Sequence, residues 1–249
     1  MNLCTDQLAM MLAGPGQLQS VSYFAADPRA SAMVEEARSY TINHGLAEEI
    51  YLMQPDLVIA GAFSTRATVA MLRRLDIPVV VFDPAYSLDD VRDRIMQIGD
   101  VLHRQADADA MVAEFDARLA DLRADVAERP SAALYYANGY TSGPQTLAGQ
   151  ILTMAGFENV ASQRGFSTGS RMPLEVLAVT NPDAVITAQP YTGASRSEDI
   201  LAHPVVQSLR NIKKSASITD HDWVCGTPYV LRAIERLAVE REAMTGGAE

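Results

Sequence analysis

Among its 249 residues this sequence has two cysteines, one tryptophan and four histidines, and its 20 lysines and arginines face 31 acidic residues. Each scarcity removes a class of function. A net charge of -11 argues against nucleic acid as a partner, since that affinity comes from neutralising phosphates with clustered basic side chains. No apolar run approaches the roughly 20 residues that span a bilayer, so stable membrane insertion of this chain is not expected. Cys4 and Cys225 form no C-x-x-C pair and are too few for a zinc site. Two readings of them stay open: small buried hydrophobes, or a disulfide tying the N-terminal segment to the C-terminal region.

The usual catalytic signatures are equally scarce. His44, His103, His203 and His221 show no H-E-x-x-H or other metal-binding spacing, so no metal site and no resident cofactor is expected. "GPGQ" at 14–17 lacks the third glycine of a dinucleotide loop. "GFSTG" at 165–169 matches the nucleophile elbow G-x-S-x-G, but no apolar strand precedes it and "SRMP" follows where a helix should start. No residue is therefore assigned as catalytic. The enzyme alternative is a small-molecule hydrolase or lyase using Asp83, His221 and Asp222 as acid–base groups.

What is present is an alternation of helical and strand-like segments. Strands are expected at Ser20–Phe24, Leu57–Ala60 and Val79–Phe82, with helices near Thr5–Ala13, Pro28–Arg38, Ala47–Met53 and Thr65–Leu75. "SLDD" at 87–90 has the form of a capping box. Between about Asp107 and Glu128, Met111, Phe115, Leu119, Leu122 and Val126 recur at helical spacing. After "ERPSAA" the alternation resumes: a strand at 132–137, a helix at 146–156, strand "AVITA", helix 197–209, strand "ASIT" and a last helix from about Pro228. The expected fold is thus α/β: two lobes, each a parallel-rich sheet flanked by helices, joined by one long helix, with a ligand cleft between the lobes. The expected boundaries are 1–104 for the first lobe, 105–129 for the linking helix and 130–249 for the second lobe.

One pattern occurs twice. "AEEIYLMQPDLVIA" at 47–60 and "PLEVLAVTNPDAVIT" at 173–187 both run from a glutamate, through six residues, to Pro-Asp and an apolar run. Each reads as a short helix halted ahead of a proline and followed by a buried strand. Glu48 and Glu175 fall at the same place in the two copies. Aromatic residues recur at strand ends: Tyr23 ending "SVSY", then Tyr136, Asn138 and Tyr140 in "YYANGYTSG", with Phe166, Tyr191, and His221 beside Trp223 in later loops. Such rings suit a large, partly apolar ligand held at the carboxyl ends of strands.

Taken in order, "NLCTDQL", "AEEIYLMQPDLVIAG", "LDIPVVVFDP", "LTMAGFENVA", "LEVLAVTNPDAVIT" and "WVCGTPYVLRAIERLA" resemble the helical-backbone class of ABC-importer substrate-binding proteins. That class carries cobalamin, haem and ferric siderophores. The resemblance implies a monomeric, non-enzymatic binder of a metal chelate in the periplasm, with the ligand in the inter-lobe cleft. It also implies that Glu48 and Glu175 dock into arginine pockets of the ABC permease. Members of the class usually carry an export signal and a first strand ahead of the "NLC" position, so further sequence upstream of Met1 is expected.

Overall fold

The computed structural model describes residues 1–123, 126, 128–188, 195–212, 217, 218 and 220–245. The chain separates into two compact units, Met1–Asp116 with Val224–Tyr229, and Ala117–Trp223 with Val230–Glu249.

The first unit carries four short strands, β1 (Ser20–Ser22), β2 (Thr41–Asn43), β3 (Val58–Gly61) and β4 (Val79–Phe82). They form two parallel pairs, β1 with β2 and β3 with β4. Its helices are α1 (Leu3–Leu12), α2 (Val34–Ala37), α3 (Ala47–Leu52), α4 (Arg66–Arg74) and α5 (Leu88–Val101), and α6 (Gln105–Leu122) runs across the boundary between units. On α5, Leu88, Val91, Ile95 and Ile98 are buried, a three- to four-residue stripe facing the core. Ile50, Val58, Leu72 and Ile77 make one apolar cluster, and Val21, Ala25 and Ala37 another.

The second unit is built on a four-stranded parallel sheet in the order β10 (Ser217–Ile218), β9 (Ala184–Ala188), β5 (Ser131–Leu134), β7 (Glu158–Asn159). A separate antiparallel pair joins β6 (Tyr140–Ser142) to β8 (Gly169–Arg171). Around them lie α7 (Leu147–Met154), α8 (Val160–Gln163), α9 (Leu174–Thr180), α10 (Pro204–Ile212), α11 (Asp220–Trp223) and α12 (Val230–Thr245). Ala133, Tyr135, Val160, Met172, Leu177, Val185 and Val206 form the apolar centre. The mixed α/β fold with parallel sheets agrees with the alternation in the sequence.

Several boundaries differ, each for a local reason. The helix expected over Pro28–Arg38 shrinks to α2, because the Asp27 side chain and carbonyl take the amides of Arg29, Ala30 and Ser31, and Ser31 Oγ takes that of Met33. The strand expected to reach Phe24 stops at Ser22, since its partner β2 ends where Asn43 Oδ1 accepts from the Gly45 amide in a turn with positive φ. Ser87 caps α5 by accepting from the Asp90 amide, while Asp90 reaches one residue further back than a capping box requires, to the Tyr86 amide. The helix expected over 197–209 is split at His203, whose extended backbone precedes Pro204; a 3-10 turn at Asp199–Ala202 lies before it and α10 after it. No helix among the described residues is long and apolar enough to cross a membrane.

Cys4 and Cys225 are joined in a disulfide, which decides between the two readings of the pair. It fastens the start of α1 to the segment 224–229, which belongs to the first unit although it lies late in the chain.

Candidate functional site

The duplicated corners fold alike. Glu48 is the second residue of α3 and Glu175 the second residue of α9, and both are exposed. Two residues on, Ile50 and Leu177 are 4% and 0% exposed and anchor each helix to its core. Four residues on, Leu52 and Val179 stand 80% and 76% exposed. Six residues on, Gln54 and Asn181 take left-handed backbone angles, φ 50° and 48°, which end each helix just before Pro55 and Pro182. β3 and β9 then begin at Val58 and Ala184. Each corner therefore offers water a carboxylate and, one helical turn away, a large apolar side chain.

In the first unit Tyr23 opens a 3-10 turn directly after β1. Its ring lies 4.0 Å from that of Phe24 and stacks on His44 at 5.7 Å and 20°. All three side chains belong to exposed residues. His44, the first residue after β2, is bound twice by Glu49: its amide donates to Oε2 at 2.7 Å and its Nδ1 lies 3.0 Å from Oε1. The backbone amide of His44, and after it the imidazole, holds the Glu49 carboxyl below the ordinary glutamate range. Histidine spacing alone gave His44 no role; its place at a strand end with a glutamate five residues on is the signal that marks it.

In the second unit Tyr136 follows β5, and its ring centroid lies 5.4 Å from Trp223, tilted by 48°. The structure thus brings together two of the expected ligand residues that are 87 positions apart. His221 and Trp223 sit on the one-turn helix α11 and not in a loop. The Trp223 indole N–H is buried and makes no hydrogen bond among the described residues, leaving a donor to spend. Asn138 adopts φ 57°, donates its amide to Ser197 and accepts at its carbonyl from Arg171 Nε. Tyr140 is exposed at the start of β6, across from Arg171. Phe166 packs against the apolar centre of the unit. Tyr191 lies outside the described residues.

A cavity of about 480 Å³ lies in the first unit, away from these rings. Ser20 of β1, Asn43 of β2, Val58 and Ile59 of β3, and Leu57 just before β3 line it. Asp6 Oδ2 accepts the Ser22 amide, and the Met1 ammonium donates to the Ile59 carbonyl and pairs with Asp6.

The catalytic alternative finds no support in the geometry. Asp222 is buried, 3.3 Å from Arg236 and 3.6 Å from His221, so its carboxylate is committed to an ion pair. Ser167 lies between the turn at Gly165 and β8, without the strand-to-helix turn of a nucleophile elbow. Asp83 is exposed after β4. No group of three His, Cys, Asp or Glu among the described residues could hold a metal ion.

Three relatives share features with this chain. A cobalamin-binding protein of Halobacterium salinarum is 34% identical over 145 residues, 56% of this chain; the matched stretch spans 39% of that relative's length. A vitamin B12-binding protein of Pectobacterium carotovorum is 24% identical over 95% of this chain and 85% of its own. Among solved structures, a periplasmic heme-binding protein from Roseiflexus sp. RS-1 has a TM-score of 0.77 at 18% identity, over 98% of this chain and 96% of that one, which establishes a common fold. Residues 1–222 match the periplasmic binding protein family as a whole, and to that family the chain belongs.

Proposed function

We propose that the protein is the substrate-binding component of an ABC-type importer, capturing a metal chelate (a ferric siderophore, cobalamin or haem) and delivering it unchanged to a membrane permease. The observation that carries the reading is the pair of corners at Glu48 and Glu175, alike in helix position, burial pattern and left-handed ending. Two structurally equivalent carboxylates, one in each unit, suit a partner that presents arginine twice, through charge-assisted hydrogen bonds. Family membership and relatives named for cobalamin and heme support the cargo class. In the second unit, the rings of Tyr136 and Trp223 give such a chelate apolar faces to rest on. A periplasmic location fits both the family and the disulfide, which persists in oxidising compartments.

The test is association with the importer's permease and ATPase in proteoliposomes. Glu48→Lys and Glu175→Lys are each expected to abolish pull-down and ATPase stimulation, because losing one partner of a buried ion pair typically costs about 2–5 kcal/mol and reversal adds repulsion. Chelate affinity and melting temperature are expected to stay at the parent's values. A reversal that destroys chelate binding and spares association contradicts the docking role of that residue.

A further inference from the structure

Among the described residues neither Glu48 nor Glu175 makes a hydrogen bond or an ion pair, whereas Glu49, the next residue of α3, is tied to the amide and ring of His44. Both docking carboxylates thus stand in water without a partner. On an α-helix the side chain four positions on lies one turn along and about 40° round, on the same face. Leu52 and Val179 hold that place beside Glu48 and Glu175, and both are largely exposed. A lone exposed leucine or valine is ordinary on a globular surface and needs no partner. The same pair at the same offset in two units, on helices that bury Ile50 and Leu177 two positions earlier, is a repeated arrangement. In the first unit Tyr51, three positions after Glu48, is exposed as well, while the matching Ala178 is small and half-buried.

We propose that Leu52 and Val179 are docking residues, each entering an apolar socket on the permease beside the arginine that takes the neighbouring glutamate. The inference rests on the importer reading above and deepens it, since the permease surface must then pair each arginine with an apolar recess. A carboxylate and an arginine that meet in open water gain little from each other. An apolar side chain seated next to them excludes that water, lowers the local dielectric and strengthens the pair. Leu52 and Val179 therefore act on the ion pair as well as by their own burial. The first corner, with Tyr51 on the other side of Glu48, shields its carboxylate more fully and is the stronger anchor. Leu52 and Val179 lie on the surface, so replacing either removes the contact without opening the core.

The experiment measures association of the intact chain with the importer's permease and ATPase in proteoliposomes at low and high salt, with chelate titration and thermal melting run beside it. Leu52→Ser and Val179→Ser are each expected to weaken association about tenfold or more, Leu52→Ser the more strongly, with chelate affinity and melting temperature at the parent's values. Leu52→Met is expected to associate as the parent does, because it keeps the apolar volume. Salt is expected to weaken the serine variants more than the parent, since their ion pairs are left open to screening. Serine variants that associate as tightly as the parent, while Glu48→Lys and Glu175→Lys do not associate, overturn the apolar role and leave the importer reading standing. Serine variants that lose chelate affinity and keep association overturn it too. A parent that pairs with itself in analytical ultracentrifugation, and stops doing so as Leu52→Ser, assigns this face to a second copy of the chain and overturns the proposal. A parent that does not associate with the importer overturns both readings.

Discussion

Breaking the Cys4–Cys225 disulfide should loosen the first unit more than any single change at its surface. The bond closes a loop of 221 residues, the separation of its two ends. In the chain-entropy description, cross-linking so long a loop removes unfolded-state freedom amounting to about 5 kcal/mol, and removal of native disulfides typically costs about 2–5 kcal/mol. For a chain of this size each kcal/mol moves the melting temperature by roughly 2–4 °C, so a fall of roughly 4–20 °C is expected. Locally, Gly226 lies against Ala85 so closely that an added Cβ would sit 2.1 Å from the Ala85 Cβ; the segment the bond secures is packed tightly on the first unit. The assay is thermal unfolding by circular dichroism of the Cys4→Ser/Cys225→Ser double variant, and of the parent with and without dithiothreitol. The double variant and the reduced parent should melt together, below the oxidised parent. Equal melting temperatures in all three, or two titratable thiols in the native oxidised protein, would refute the reasoning.

Other consequences are local. Trp223→Ala and Tyr136→Ala should each weaken chelate affinity by about 1–3 kcal/mol with melting unchanged, read by equilibrium titration; unchanged affinity in both places the ligand elsewhere. Because the Glu49 carboxyl is held below its ordinary value of 4.5 by the His44 amide and ring, its contribution to stability is present above 4.5 and fades as pH falls through the lower folded value. Side-chain NMR should find the Glu49 midpoint under 4.5, and a midpoint at or above it contradicts the doubly bound geometry. Gln54→Gly should raise stability by up to about 1 kcal/mol in urea titration, since glycine takes the left-handed conformation without a Cβ clash; a loss would mean that the Gln54 side chain matters more than its backbone.

The parts of this fold legible in the sequence are those written by period and by punctuation. β4 and β9 were continuous apolar runs, and α3 and α9 ended ahead of prolines, so their places could be read directly. The antiparallel pair β6–β8 carried no such signal: "YTS" and "GSR" are short and polar, and they are joined by backbone contact at Gly143, where a Cβ would meet the Phe166 carbonyl oxygen at 2.0 Å. The duplicated glutamates were visible as spacing, but the exposed Leu52 and Val179 beside them depend on which side of each helix is buried. At the aromatic residues, the alternation of elements located Tyr23 at the end of β1 and Tyr136 after β5, whereas the one-turn helix that carries Trp223 left no signal of its own. His44 was passed over because metal motifs are spaced along the chain, whereas its orientation comes from a turn that brings Glu49 back to it.

Native mass spectrometry of the intact protein mixed with cobalamin, haemin and ferric siderophores tests the central claim most directly. The predicted result is a one-to-one complex with one of these chelates, which on denaturation releases it at its original mass and with its original absorbance. A chain that binds none of them, or that returns a chemically altered product, would contradict the reading of a carrier that captures a chelate and hands it on.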